Sequence, residues 1–133
     1  VSNKVVGQIS HGLVIFLGVQ KNDTENDAEF LVNKICGLRI FNDENDKMNL
    51  SIKDVNGSAL VISQFTLCGD TKKGRRPSFI KAATPDDGNR LYEYFMLEMK
   101  KGGVPIESGE FGAMMNVELV NDGPVTFVLN SKD

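Results

Sequence analysis

The sequence predicts a single α+β domain in which most strands are antiparallel. Its length of 133 residues suits one domain with a sizeable core. Hydrophobic residues make up 41% and charged residues 25%, which is the composition of a globular protein. Short β-branched runs between turn residues predict strands, and two longer segments with helical periodicity predict helices. Because the chain shows no internal repeat or linker, the predicted domain spans residues 1–133.

The first part of the chain predicts a hairpin followed by a helix. The runs "KVVGQIS" and "GLVIFLGV" flank the turn "SHG". In the next segment, "NDTENDAEFLVNKICGL", Thr24 and Asp27 have the spacing of a capping box. This helix has one apolar face, formed by Ala28, Leu31, Val32, Ile35 and Leu38.

Short strands and a second helix are predicted for the remainder. "LRIF", "MNLSIKDV" and "SALVISQFTL" are each typical of strands. The segment "ATPDDGNRLYEYFMLEMKKGG" places Thr84 and Pro85 at a helix start and Gly102 at its end. Two further strand-like segments, "VPIESGEFGAMMNVELV" and "VTFVLN", surround Gly123-Pro124. A sheet tolerates proline only at an edge, a bulge or a turn, so this pair predicts a turn.

Composition and charge narrow the function classes. Cys36 and Cys68 have no metal-like spacing and His11 is the single histidine, so we expect neither a metal nor a cofactor. Unpatterned thiols favour a reducing compartment, and we expect the cytoplasm. No apolar run approaches the roughly 18 residues of a membrane span. The net charge of −3 argues against indiscriminate nucleic-acid binding, whereas a local basic patch is compatible with it.

The chain lacks a familiar catalytic constellation. His11 lies at the predicted hairpin tip, where we expect a solvated turn residue rather than a general base. The strand segment "SQFTL" is unusual, because Gln64 and Thr66 would share one face beside the apolar "ALVI". These polar side chains either satisfy a neighbouring strand or belong to a site, and the pattern alone leaves both interpretations open.

A cluster of positive charge follows this strand directly. The segment "CGDTKKGRRPSF", called the basic loop below, contains the cations Lys72, Lys73, Arg75 and Arg76. A charge run is usually a solvated surface. The alternative is a patch that contacts the phosphates of a nucleic acid.

Several stretches together resemble the D-aminoacyl-tRNA deacylase family. They are "SQFTL", "GDTKKGRRPSF", "FGAMMNVELVNDGPVT" and "LGVQKNDTENDAEFLVNKI", followed by "LRIF", and the similarity extends over essentially the whole chain. The resemblance implies a curved, barrel-like sheet with two packed helices in a homodimer. It also implies a proofreading enzyme of translation, which hydrolyses the ester of D-aminoacyl-tRNA and of glycine mischarged onto alanine tRNA.

The resemblance implies which residues form the catalytic site. Gln64, Phe65 and Thr66 correspond to the family's catalytic segment, with Ser63 in substrate binding. Two mechanisms stay open. In one, the ribose 2′-hydroxyl assists water, and backbone amides around Phe65 and Thr66 stabilise the oxyanion. In the other, the Thr66 hydroxyl is a nucleophile, although no base is evident to activate it.

Specificity and tRNA binding are implied in the same way. Gly123 and Pro124 correspond to a Gly-cis-Pro motif that rejects L-amino acids at the active site of the partner subunit. Phe111 and Met115 correspond to the adenosine pocket, and the basic loop would contact tRNA phosphates. Neither DNA nor a membrane is an expected partner.

One family feature is missing, and two alternatives remain. In the family, a strand with a "QRV" stretch precedes the counterpart of Val1, so the predicted domain lacks this N-terminal strand. A non-catalytic RNA-binding module would keep the basic loop and the aromatic residues. A small-molecule esterase would need a nucleophile–base pair that the sequence does not offer.

Overall fold

Two helices and two small sheets form the computed structural model, which describes residues 1–133. The strands are β1 (Gly12–Leu17), β2 (Phe41–Asn42), β3 (Met48–Leu50), β4 (Ser58–Ser63) and β5 (Ile106–Ser108). The helices are α1 (Glu25–Gly37) and α2 (Pro85–Lys101), and a short 3₁₀ helix (Phe65–Cys68) follows β4. The fold is therefore α+β, with strands and helices alternating along much of the chain.

The predicted antiparallel, barrel-like sheet is wrong. The main sheet is parallel and open, with the strand order β1-β4-β5, and the register places Leu13 beside Ala59 and Ala59 beside Ile106. The antiparallel sheet contains just β2 and β3. The connections give the reason, because α1 lies between β1 and β4 along the chain and α2 lies between β4 and β5. A helical crossover returns the chain to the same end of the sheet, so the strands run parallel.

The predicted N-terminal hairpin is also wrong. The segment "KVVGQIS" forms no strand, and β1 pairs with β4 instead. Gly12, the first residue of β1, has a φ of 151° and lies against Ser58. A Cβ at this position would stand 1.7 Å from the Ser58 carbonyl oxygen. Only glycine allows two backbones to approach so closely. β1 therefore pairs with β4 from its first residue.

Both predicted helix starts are confirmed. In α1, the Asp27 carboxylate accepts a hydrogen bond from the Thr24 amide at 2.8 Å, as in a capping box. In α2, the Thr84 hydroxyl accepts the Asp87 amide at 3.4 Å. Pro85 follows in the first turn, where N–H groups have no partner inside the helix. The N–H that proline lacks therefore costs no helical hydrogen bond. Local capping therefore defines where each helix begins.

The core lies between the helices and one face of the parallel sheet. α2 buries its largest side chains here, namely Tyr92, Phe95 and Met99. The predicted apolar face of α1 packs beside them through Ala28, Val32 and Ile35. The Tyr92 hydroxyl donates to the Val61 carbonyl oxygen at 2.9 Å, which satisfies a buried polar group and fixes α2 against β4. Neither helix combines the length and apolar character needed to cross a bilayer.

Residues 109–133, called the C-terminal segment below, contain no strand. The predicted strands "VELV" and "VTFVLN" are therefore wrong, and within "VPIESGEFGAMMNVELV" only Ile106–Ser108 forms a strand, β5. Val120 and Val128 are 91% and 95% exposed, so neither side chain packs on a neighbouring strand. Strand propensity mostly reflects packing against neighbours, and the alternating pattern has no such neighbour in this chain.

The C-terminal segment is attached to the start of α1 by charged contacts. The Lys132 ammonium lies 2.7 Å from Oδ1 of Asp27 and 3.5 Å from Oδ1 of Asp23. The Ser131 hydroxyl donates to the same Asp27 oxygen at 2.9 Å. The hydrogen bond from Lys132, followed by the bond from the Thr24 amide, lowers the pKa of Asp27 to about 2. Asp27 thus joins the helix cap to the end of the chain.

Replacing Asp27 with asparagine is expected to lower the free energy of unfolding by about 1–2 kcal/mol near neutral pH. The Asp27 pKa is 3.8 without these contacts and about 2 in the folded chain. The stabilisation is therefore present above the unfolded pKa and is lost as the pH falls through the folded pKa. Urea unfolding should give curves for the two proteins that converge toward about pH 2.

The matched control for this prediction is Asp46→Asn, which changes an exposed aspartate in a turn. Its stability difference from the wild type should stay small across the same pH range. A stability loss in Asp27→Asn that does not change with pH would show that the carboxylate charge is not responsible.

Candidate functional site

The structure places Gln64 and Thr66 in a turn rather than on a strand. β4 ends at Ser63, and the 3₁₀ helix begins at Phe65, so the prediction that Gln64 and Thr66 share one strand face is wrong. The backbone N–H of Gln64 still donates to the Leu17 carbonyl oxygen at 2.9 Å. Because β1 ends at Leu17, β4 has no neighbouring strand to follow on that side, and the chain turns. Residues 64–68, which are Gln64 and the 3₁₀ helix, are called the β4 turn below.

Within the β4 turn, the side chain of Gln64 contacts the hydroxyl of Thr66. Nε2 of Gln64 lies 2.5 Å from Oγ1 of Thr66. An amide NH₂ group donates and cannot accept the hydroxyl proton, so this contact orients Thr66 without activating it as a nucleophile. The N–H groups of Phe65 and Thr66 begin the 3₁₀ helix and have no acceptor inside it. The turn therefore offers backbone donors together with one oriented hydroxyl.

The basic loop is closed at its base beside the β4 turn. Asp70 and Ser78 exchange two backbone hydrogen bonds of 2.7 and 2.8 Å. The next residue, Phe79, packs edge-on against Phe65 with 5.0 Å between ring centroids. All four cations of the loop are exposed. Phe79 is thus a site residue that the sequence pattern did not single out, and it attaches the cationic loop to the turn.

Phe111 and Met115 each contact a residue that donates a hydrogen bond to the carbonyl oxygen of Val61 in β4. The Phe111 ring lies against Tyr92 with 6.0 Å between centroids, and the Tyr92 hydroxyl binds the Val61 oxygen. The Gly109 amide donates to the same oxygen at 3.4 Å. Met115 covers Gly109 so closely that a Cβ there would lie 2.4 Å from the methionine sulfur. The structure therefore places Phe111 against α2 and Met115 against the residue that follows β5, and both supporting residues bond to β4.

The Gly-Pro loop, residues 121–126, lies in the C-terminal segment. Its Gly123–Pro124 peptide bond is cis, Gly123 has a φ of 130°, and both residues are exposed. Oδ1 of Asn121 accepts a hydrogen bond from the Val125 amide at 3.1 Å, and Nδ2 donates to the Thr126 hydroxyl at 2.8 Å. These bonds are local, and no hydrogen bond joins the loop to the β4 turn of the same chain. The structure thus orders the loop through hydrogen bonds among its own residues, and none of these bonds reaches another predicted site residue.

Titratable side chains near the β4 turn do not form a nucleophile–base pair. Burial, and to a lesser extent the Asp23 carboxylate, raises the pKa of the Cys68 thiol, which stays protonated at neutral pH. His11 precedes β1, at the opposite end of the parallel sheet, and packs edge-on against Phe41. No three His, Cys, Asp or Glu side chains converge as they do at a metal. The site can therefore bind and orient a substrate through amides, a hydroxyl and aromatic rings.

Comparison with known proteins places these features in a family context. Residues 1–130 match the family described as D-Tyr-tRNA(Tyr) deacylase. A protein of Thermotoga petrophila named D-aminoacyl-tRNA deacylase is 56% identical over 98% of this chain and 88% of its own length. A protein of the same name from Thermosipho melanesiensis is 55% identical over 99% of this chain and 89% of its own length. Among solved structures, the c-Myc DNA unwinding element binding protein is 38% identical with a TM-score of 0.82, over 88% of this chain and 80% of that one.

Proposed function

Because the chain belongs to the D-Tyr-tRNA(Tyr) deacylase family, we propose that it hydrolyses the ester between a D-amino acid and the terminal adenosine of tRNA. The products are the free D-amino acid and tRNA, so the reaction removes wrongly charged tRNA from translation in the cytoplasm. One observation carries the proposal: the β4 turn presents the N–H groups of Phe65 and Thr66 at the start of the 3₁₀ helix, next to an attached cationic loop. Such a turn can bind an ester carbonyl next to RNA phosphates.

A deacylation assay with matched substrates tests this proposal. The same tRNA is charged with D-tyrosine or with L-tyrosine, and loss of the labelled amino acid is followed with and without protein. We expect catalytic amounts of protein to hydrolyse the D-ester and to leave the L-ester at the protein-free rate. Equal rates for both esters, or no acceleration of either, would contradict the proposal.

The Gly-Pro loop supplies the selectivity in this proposal. Gly123 has no side chain, and the ring of Pro124 fixes its φ, so the loop presents backbone oxygens at a defined position. Against these oxygens, a D-residue directs its α-hydrogen, whereas an L-residue directs its side chain. The wrong substrate is then rejected by a steric clash. Glycine has no side chain to clash, so the loop should also admit glycine mischarged onto alanine tRNA.

The loop acts at the active site of a partner subunit in a homodimer. Two observations support this: the hydrogen bonds of the loop are local, and the nearby Val120 and Val128 are almost completely exposed. Burial of such apolar surface against a second copy is favourable. Light scattering checks the dimer, and a monomeric mass at assay concentrations would contradict it.

Hydrolysis of the aminoacyl ester needs little chemical assistance from the protein's side chains. An aminoacyl ester is already activated, and the adjacent ribose 2′-hydroxyl can assist the attack of water. The N–H groups of Phe65 and Thr66 would stabilise the developing oxyanion. Phe111 and Met115 would hold the terminal adenine by stacking and apolar contact, worth about 1–3 kcal/mol for an aromatic partner.

Replacing Thr66 with alanine is expected to lower kcat by no more than about threefold, because its hydroxyl contacts an amide donor and no base. Single-turnover deacylation of D-tyrosyl-tRNA checks this expectation, with Thr66→Ser as the variant that keeps the hydroxyl. If Thr66→Ala folded normally but lost about a thousandfold in rate while Thr66→Ser stayed active, the acyl-enzyme mechanism would replace substrate assistance.

Nucleic-acid binding without catalysis is the second candidate function. It is favoured by the basic loop and by the structurally similar protein, whose name describes binding to a DNA element. A protein of this kind would bind charged and uncharged tRNA alike and would leave both tyrosyl esters intact. The deacylation assay therefore separates the two functions directly.

A further inference from the structure

Asn121 spans the Gly-Pro loop with both ends of its amide. Oδ1 accepts the Val125 amide at 3.1 Å, and Nδ2 donates to the Thr126 hydroxyl at 2.8 Å. The Asn121 side chain, two positions before Gly123, is thus bonded to both residues that follow Pro124. Asparagine suits this position, since its short side chain carries an acceptor and a donor and bonds readily to nearby backbone.

The two hydrogen bonds of Asn121 lie at the surface and do not stabilise the core. Asn121 and Thr126 are both exposed, and Val125 is partly exposed. Close contact at the loop's glycine is also internal, because a Cβ on Gly123 would meet Val125 at 2.9 Å. With exposed residues on both sides, the shape of the loop depends on contacts within it rather than on packing against the sheet. Removal of the Asn121 amide should therefore loosen the loop while leaving the rest of the fold in place.

We propose that Asn121 and Thr126 are positioning residues, which hold the Gly-Pro backbone where it can exclude L-aminoacyl groups. This inference rests on the proposed function of the loop as the chiral filter. A rigid loop rejects an L-side chain because it cannot move aside, whereas a loosened loop yields and admits it. The two residues therefore act on discrimination through Gly123 and Pro124 and do not touch the substrate themselves.

The test compares kcat/KM for D-tyrosyl-tRNA and L-tyrosyl-tRNA in four variants. Asn121→Ala removes both bonds, Thr126→Val removes the hydroxyl partner at nearly constant shape, and Thr126→Ser restores a hydroxyl. Asn130→Ala is the matched control, because Oδ1 of Asn130 accepts the Lys132 amide at 2.9 Å in a similar turn outside the loop.

We expect the D-over-L preference to fall by about tenfold in Asn121→Ala and by about threefold in Thr126→Val. The fall should come mainly from faster hydrolysis of the L-ester, a gain that general destabilisation would not produce. Thr126→Ser and Asn130→Ala should keep the wild-type preference. Since Thr126→Val preserves the shape of the side chain, it carries the test even if Asn121→Ala folds poorly.

Gly123→Ala separates failure of this inference from failure of the proposed filter. If Gly123→Ala lowers the preference while Asn121→Ala and Thr126→Val leave it unchanged, the positioning role is overturned and the filter stands. If Gly123→Ala leaves the preference unchanged, the filter itself is wrong, and the positioning role fails with it.

Discussion

Replacement of Gly123 with alanine is expected to reduce the D-over-L preference of deacylation by about 100-fold, since misplacement by about 1 Å can cost this much. Gly123 has a φ of 130°, a conformation that L-residues rarely adopt. The added Cβ would also lie 2.9 Å from Cγ2 of Val125. The loop must therefore move, which weakens the fit of the D-ester and opens space for the L-ester. Steady-state kinetics with both tyrosyl-tRNAs measures the change.

Gly103→Ala is the matched control for this variant. Gly103 also has a positive φ, of 92°, but lies in the turn after α2, where a Cβ would meet only the Lys53 side chain at 3.5 Å. The control should lose comparable stability in thermal unfolding and keep the D-over-L preference. If both variants lost activity in proportion to stability, with the preference unchanged, Gly123 would have no role in selectivity.

Reversing the charge of the basic loop is expected to weaken tRNA binding by about 100-fold at moderate salt. The variant replaces the four exposed cations with glutamate, at positions Lys72, Lys73, Arg75 and Arg76. Each phosphate contact that is lost also removes a counterion-release contribution. The slope of log Kd against log salt should therefore become shallower by about 3. Fluorescence binding of labelled tRNA over a salt series checks both expectations.

A control with the same change in net charge shows whether position matters. It replaces four exposed lysines elsewhere on the chain with glutamate, at positions Lys4, Lys34, Lys47 and Lys53. The control should lose much less affinity and keep most of the salt slope. Equal effects from the two sets would mean that net charge, and not the basic loop, governs binding.

The helix limits could be predicted because their signals are local. Thr24 and Asp27 lie within one turn, as do Thr84 and Pro85, so the capping chemistry is present in a few consecutive residues. Strand direction has no comparable local signal. It depends on where the chain returns after each helix, and the order of strand, helix and strand indicates a parallel sheet. That order outweighs the turn residues "SHG", which favour a hairpin.

The candidate site could be predicted in its residue types and less well in its geometry. β propensity extends β4 through "SQFTL", whereas the end of β1 at Leu17 stops the pairing and produces a turn. Phe79 and Tyr92 join the site through contacts with rings distant in the sequence, which no local pattern contains. Asn121 is different, because an asparagine close before Gly-Pro is itself a signal for a side-chain-bonded turn.

The attachments at both ends of the C-terminal segment restrict how far its middle can travel. Gly109 is bonded to β4, and Lys132 is held by two carboxylates near α1, so the residues between them form a closed loop. Closing a loop in advance lowers the entropy that is lost when its exposed apolar side chains later dock on a surface. Removing the last two residues, which include Lys132, should therefore weaken any association that uses this segment, in addition to the stability that is lost with the Lys132–Asp27 contact.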